Sequence, residues 1–313
     1  MNDQSQPVRR IRTYAILALR GLLAAGILFM LFQFVSLSEA AHSFRSARFD
    51  FLAGAIALMF VNLGFQFLKW RYFVRLINPH NSDLESAASF LFGLTLGTVT
   101  PGQIGEFGGR AMRHGSITSG SIIGLTLVDR LQMICVLGIG GGASLMILIG
   151  PGGPANYLLG TLLAAICGAI FFNPQFVPAL IVKIRPGLRS NQWFRDFMEA
   201  SAVFRTRQLL ISFVLSTVFY FTICAQMFLL LNAFSDVTWV DAFLGFAAMM
   251  FVKALVPISL GDLGVREATS VYFYSLLGIA PATSLNASLL LFVINILFPS
   301  LIGLFFMPRI THR

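Results

Sequence analysis

Apolar residues come along this chain in long blocks, not in the narrow stripes of a water-soluble domain. Six blocks approach or exceed the ~20 residues that a bilayer-crossing helix needs: 14–37, 51–68, 119–149, 155–172, 209–233 and 284–307. Two others, 84–99 and 242–256, are short, and each runs into a Pro/Gly-rich charged segment followed by another short stretch. Irregular backbone at membrane depth has to be shielded by protein or by a water-filled cavity. Both are therefore predicted to be re-entrant or broken helices. The pattern predicts an all-α, polytopic membrane protein: six full transmembrane helices plus two re-entrant elements, forming a single integral membrane domain over residues 1–313.

The two broken elements resemble each other. Pro101-Gly-Gln-Ile-Gly105-Glu106-Phe-Gly108-Gly-Arg110 and Pro257-Ile-Ser-Leu-Gly261-Asp262-Leu-Gly264-Val-Arg266 both read P-x-x-x-G-[DE]-Φ-G-x-R, where Φ is apolar, and Pro257 follows Pro101 by 156 positions. The same displacement carries Glu85 onto Asp241, the second span onto the fifth and the third onto the sixth. Three full spans lie between the motifs, so one element enters from the cytoplasm and the other from outside. This predicts an inverted-topology repeat with halves of approximately 1–150 and 151–313, an architecture recurrent in secondary transporters.

Composition supports the membrane reading. The chain is 57% hydrophobic and 11% charged, where a soluble domain carries about 25% charged residues. The net charge of +9 would suit nucleic acid in a soluble protein, but the basic residues lie between apolar blocks, where the positive-inside rule places them; no nucleic-acid partner is expected. Arg9, Arg10, Arg12, Lys69, Arg71, Arg75, Arg110, Arg113 and the basic loop from Lys183 to Arg207 then fall on one side. Both termini are expected in the cytoplasm and the protein in the inner membrane, with the N-terminal block kept as a first span. Only Arg45 and Arg48 oppose the pattern. The loop 174–207 mixes Trp193, Phe194 and Phe197 with Arg and Lys, as in a cytoplasmic amphipathic helix lying on an anionic leaflet. Cys135, Cys167 and Cys224 sit in apolar runs and read as packing residues. The four histidines are scattered, so neither a metal nor a cofactor is expected.

Nine charged groups lie at or near membrane depth: Arg20, Glu106, Arg110, Asp129, Arg130, Lys253, Asp262, Arg266 and Glu267. Each costs ~2.5–3.5 kcal/mol at the bilayer centre even on a lenient scale, so they have to pair or line a polar cavity. Glu106 with Arg110, and Asp262 with Arg266, could staple the fold. The arginines also suit a phosphate, because their forked donors match its oxygens. Lys253 maps onto Gly97 at the repeat displacement and is either a phosphate contact, a proton-coupling group or a snorkelling side chain; Arg20 reads as snorkelling. Asn62, Gln66, Gln132, Gln226, Asn286 and Asn295 read as interhelical hydrogen-bonding residues.

"TPGQIGEFGGRAM" with "VPISLGDLGVREA" resembles the paired motifs of the lysylphosphatidylglycerol synthase transmembrane region, or flippase-like domain family, and "LVDRLQ" at 127–132 is similar to a segment of that family with Asp129 where Glu is commoner. The resemblance covers essentially the whole chain and is to the stand-alone members, without the synthase domain. It implies lipid translocation and places site residues at Pro101, Gly105, Glu106, Arg110, Arg130, Pro257, Gly261, Gly264, Arg266 and Glu267. Lys253 and Asp262 join them from the charge reading. The expected activity is a lipid flippase, not an enzyme, that moves a phosphate-bearing headgroup by alternating access. The membrane-lipid cargo is left open among phospholipid, aminoacyl phospholipid, hopanoid-type and polyprenyl-linked lipids, as are a homodimer and a partner biosynthetic enzyme. The alternatives are a membrane-embedded transferase, for which no long soluble loop is available, and a small-anion transporter of the same fold.

Overall fold

The computed structural model describes residues 47–150, 166, 168, 169, 171, 173, 175–256 and 264–307. The expected first span, Arg20, most of the fourth span, and Pro257, Gly261 and Asp262 lie outside them. All regular structure among the described residues is helical. Four helices are long and apolar enough to cross a membrane: α1 (Phe49–Ile77), α4 (Ser119–Leu148), α7 (Thr206–Asn232) and the composite helix Pro281–Leu304. The last consists of α10 (Pro281–Phe292), a π turn (Val293–Leu297) and α11 (Phe298–Leu304). Large apolar side chains such as Phe60, Ile139, Val214 and Leu301 are exposed along these helices, as a lipid-facing surface requires. The protein is a multi-pass membrane protein.

The two short blocks form helix–break–helix units. The first is α2 (Asp83–Thr98) and α3 (Gly105–Met112); the second is α8 (Trp239–Leu255) and α9 (Val265–Ser275). Their starts are set by equivalent caps: Ser82 Oγ accepts from Glu85 N–H at 3.1 Å, and Thr238 Oγ1 accepts from Asp241 N–H at 3.1 Å. Each satisfies a donor that a helix N-terminus otherwise leaves orphaned. In the first break Gly102 and Gln103 both adopt the left-handed region, with φ of 59° and 57°. Gly105 then packs so closely on the Leu96 carbonyl that a Cβ has no room, which lets α3 fold back along α2.

Helix boundaries recur along the chain. Displaced by 156 residues, α1 falls on 205–233 and α2 on 239–254, against the observed Thr206–Asn232 and Trp239–Leu255. The final span departs from this register. Displaced α4 would begin at 275, but α10 begins at Pro281. The cause is α9, which runs on to Ser275 where displaced α3 would end at 268.

Packing exchanges between the halves. α2 packs on α11, and α8 packs on α4. In both crossings a glycine meets the re-entrant helix with no room for a Cβ: Gly303 against Leu91 and Thr95, Gly141 against Ala247 and Phe251. Leu91 and Thr95 become 247 and 251 under the 156-residue displacement, and Gly141 pairs with Gly303 at 162. The remaining equivalents, α1 and α7, pack on each other and run antiparallel. Arg48, at the start of α1, donates to the Asn232 carbonyl at 2.8 Å and pairs with Asp236 at 3.0 Å, beyond the end of α7. This accounts for an arginine on the otherwise base-poor side.

The basic loop forms α5 (Phe176–Ile184), a 3-10 turn (Pro186–Ser190) and α6 (Gln192–Ala202). The amphipathic helix is α6, but Phe194, Phe197 and Ala200 are buried. Its backbone lies against Gly120 and Gly124 of α4. The apolar face thus docks on protein, while Lys183, Arg185, Arg189, Arg195, Arg205 and Arg207 are exposed.

Candidate functional site

A cavity of about 190 Å³ draws residues from α1, α2, α3, α4, α7, α8, α9, α10 and the π turn. Among the described residues its charged lining is Lys69, Arg110, Arg130, Lys253 and Arg266 against Glu106 and Asp129. Five cations face two carboxylates, and the surplus is positive.

The charges form an alternating string. Lys69 Nζ lies 2.6 Å from Asp129 Oδ1, and Arg110 Nη1 lies 2.9 Å from Asp129 Oδ2. Arg110 is also paired with Glu106, one turn earlier on α3, and Glu106 holds Arg130 through its other oxygen. Arg110 and Glu106 are buried, whereas the Arg130 side chain is 33% exposed. The Arg110 guanidinium sits 4.2 Å above the Trp70 ring, a cation–π contact that adds attraction where water is excluded. His114, in the turn between α3 and α4, meets the same ring edge-on. Its Nδ1 lies 3.5 Å from Glu85 Oε1.

Arg266 is held by different means. Its guanidinium is paired with Glu267, donates to Ser288 Oγ at 3.2 Å and lies 4.9 Å above the Phe292 ring. Glu267 is fully buried behind it and also accepts from Gly264 N–H at 2.7 Å. Gly264 has a φ of 85° and is the N-cap of α9.

Of the sequence-predicted residues, Glu106, Arg110, Arg130, Lys253 and Arg266 line one cavity. Pro101 and Gly105 shape the break, and Gly264 and Glu267 support Arg266 from behind. The expected Glu106–Arg110 pair is present; among the described residues the carboxylate on Arg266 is Glu267, and Asp262, the expected partner, lies outside them.

Lys69 was not expected as a cavity residue, whereas Asp129, expected to pair or to line a polar cavity, does both. Lys69 reads as the end of a span because hydropathy falls there, yet α1 continues to Ile77. The available signal was helical spacing: Asn62, Gln66 and Lys69 recur at i, i+4 and i+7, one face of a helix, and all three line the cavity. Asn62 and Gln66 join Gln226 and Asn295 in an amide cluster.

The family model described as the lysylphosphatidylglycerol synthase TM region matches residues 17–303. No curated protein matches the chain. With nearly its whole length matched, the chain belongs to the family of the lysylphosphatidylglycerol synthase transmembrane region.

Proposed function

We propose that the protein is a flippase that carries an anionic lipid headgroup through this cavity while the acyl chains stay in the bilayer. The observation that carries the reading is the cationic surplus of a cavity built from both helix–break–helix units. Guanidinium forks held rigid by carboxylates and aromatic faces are suited to phosphate. The family match supports a lipid cargo.

The site is assigned to Glu106, Arg110, Arg130, Lys253, Arg266 and Glu267. The breaks at Pro101, Gly105 and Gly264 open the backbone around it, and Pro257, Gly261 and Asp262 are assigned to the same site from the repeated motif. Both carboxylates in the cavity are engaged by two cations each, which supports a role in holding bases and argues against a transferase base. The antiparallel packing of α1 and α7, equivalents under the 156-residue displacement, supports an inverted-topology repeat. Two such halves can expose one midplane site to alternate sides. The basic loop and both termini are assigned to the cytoplasmic face of the inner membrane.

A headgroup-accessibility assay in proteoliposomes tests the proposal. Protein should speed the crossing of a fluorescent anionic phospholipid, and Arg266→Ala should slow it by about tenfold or more, the scale of losing a charged hydrogen-bonding partner. Equal rates for the two proteins would rule out the role of Arg266. Radiolabelled product formed from a lipid donor would replace transport by transfer.

A further inference from the structure

Four amides form a directional relay, three of them on the wall of the cavity and the fourth, Gln226, buried behind it. Gln226, fully buried, donates from Nε2 to the Ala55 carbonyl at 3.0 Å, which turns its own carbonyl oxygen toward Asn62. Asn62 Nδ2 is therefore the donor, reaching Gln226 Oε1 at 3.5 Å and Asn295 Oδ1 at 2.6 Å. Asn62 Oδ1 accepts from Gln66 Nε2 at 3.1 Å. Because an amide presents one acceptor oxygen and one NH₂ donor, fixing Gln226 fixes the other three.

The relay ends with capacity to spare. Asn295 Nδ2 is buried without a hydrogen-bond partner among the described residues. Asn62, Gln66 and Asn295 all line the cavity beside the cations. A buried amide donor left open costs on the order of 1–3 kcal/mol unless a ligand or water takes it. Backbone geometry puts it there: Pro299 has no N–H to return to the Asn295 carbonyl four residues earlier, and its ring crowds that carbonyl. The helix widens into the π turn Val293–Leu297, with Phe298 N–H bonded to the Val293 carbonyl. Single π turns are frequent at functional sites.

We infer that Asn62, Gln66, Gln226 and Asn295 form a specificity site that hydrogen-bonds a hydroxyl on the neutral part of the headgroup. The cargo is then a phosphodiester bearing a polyol, not an ammonium. A hydroxyl both donates and accepts, and so matches the open Asn295 NH₂ together with the Gln66 carbonyl. An ammonium would need a free carboxylate, and the two in the cavity are each shared by two cations. The inference rests on the anionic-headgroup reading above.

Binding titrations in mixed micelles with purified full-length protein test it. Dioleoyl phosphatidylglycerol and phosphatidylmethanol carry the same single charge and differ in hydroxyls. Phosphatidylglycerol should bind about five- to tenfold more tightly, the scale of one or two neutral hydrogen bonds. Asn295→Leu should bring that ratio to about one and leave phosphatidylmethanol unchanged. Should that variant not purify as a folded protein, Gln66→Met gives the same readout from the other end of the relay. Equal wild-type affinities, tighter binding of lysylphosphatidylglycerol, or a variant that weakens both anionic lipids alike overturns the specificity site and leaves the anionic reading standing. If neither anionic lipid binds better than phosphatidylcholine, the anionic reading fails and the inference with it. Glycerophosphoglycerol separates the sources: weak competition supports a lipid headgroup, and equal competition supports the same hydroxyl site acting on a soluble polyol phosphate.

Discussion

Lys69 and Asp129 form an ion pair, Nζ to Oδ1 2.6 Å, that ties α1 to α4 at the cavity wall. Asp129 also holds Arg110, so one carboxylate neutralises two buried cations. Removing one partner of a buried pair costs about 3–5 kcal/mol, because the other charge is left without compensation. Asp129→Asn should therefore lower the thermal midpoint of the purified protein sharply. Lys69→Met alone should lower it less, and adding Lys69→Met to Asp129→Asn should recover part of the loss. Equal midpoints for Asp129→Asn and wild type would remove the pair from the stabilising set.

Glu106 is held between Arg110 and Arg130, as expected of a residue that positions bases. Glu106→Gln should slow lipid crossing by roughly tenfold, since the fork of Arg110 loses an anchor, and it should do so equally from pH 5.5 to 8. A shift in the pH profile instead would make Glu106 a proton carrier.

The glycine crossings predict a matched pair of defects. A Cβ at Gly141 or Gly303 meets neighbouring atoms at once, while one at Gly64 meets nothing within 4 Å. Gly141→Ala and Gly303→Ala should each cost about 1–3 kcal/mol by overpacking. Gly64→Ala should be neutral or stabilising by ~1 kcal/mol, the ordinary gain in helix propensity. Thermal unfolding of the three variants side by side checks this, and a stable Gly303→Ala would remove the exchange of packing between the halves.

His114 predicts a pH dependence. Burial pushes its pKa down, the Glu85 carboxylate pulls it back up, and Arg110 adds to the lowering. The net shift is below the ordinary value of 6.5, so the folded protein favours the neutral ring. The stability this contributes is present above about pH 6.5 and is lost as pH falls toward the folded-state value. The thermal midpoint should drop between pH 7.5 and 5.5, and His114→Phe should flatten that slope. An unchanged slope would remove His114 as its cause.

The sequence made the helix–break–helix units readable because their signals are local. Ser82 and Thr238 are caps with an acid three residues on, and the breaks carry Pro and Gly. The extent of α1 was hidden for a physical reason. Hydropathy stops at Lys69, but Arg71 and Arg75 are met by Asp83 at 2.6 and 2.9 Å, so the helix continues through its charges to Ile77. The amphipathic pattern of α6 was legible, whereas the surface that covers it depends on Gly120 and Gly124 in a distant helix. The relay of Asn62, Gln66, Gln226 and Asn295 joins three spans across more than 200 positions, a proximity that spacing along one helix does not encode.

The positive surplus of the cavity has a further consequence. A concave, partly desolvated site with more fixed cations than carboxylates draws mobile anions from any electrolyte. A headgroup arriving there enters by exchange for a counter-ion, and each ligand has to outcompete the buffer as well as bind. Apparent affinity should therefore fall with the concentration and valence of the salt anion even at constant ionic strength, which makes chloride, sulfate and phosphate competitors of the cargo and not inert background.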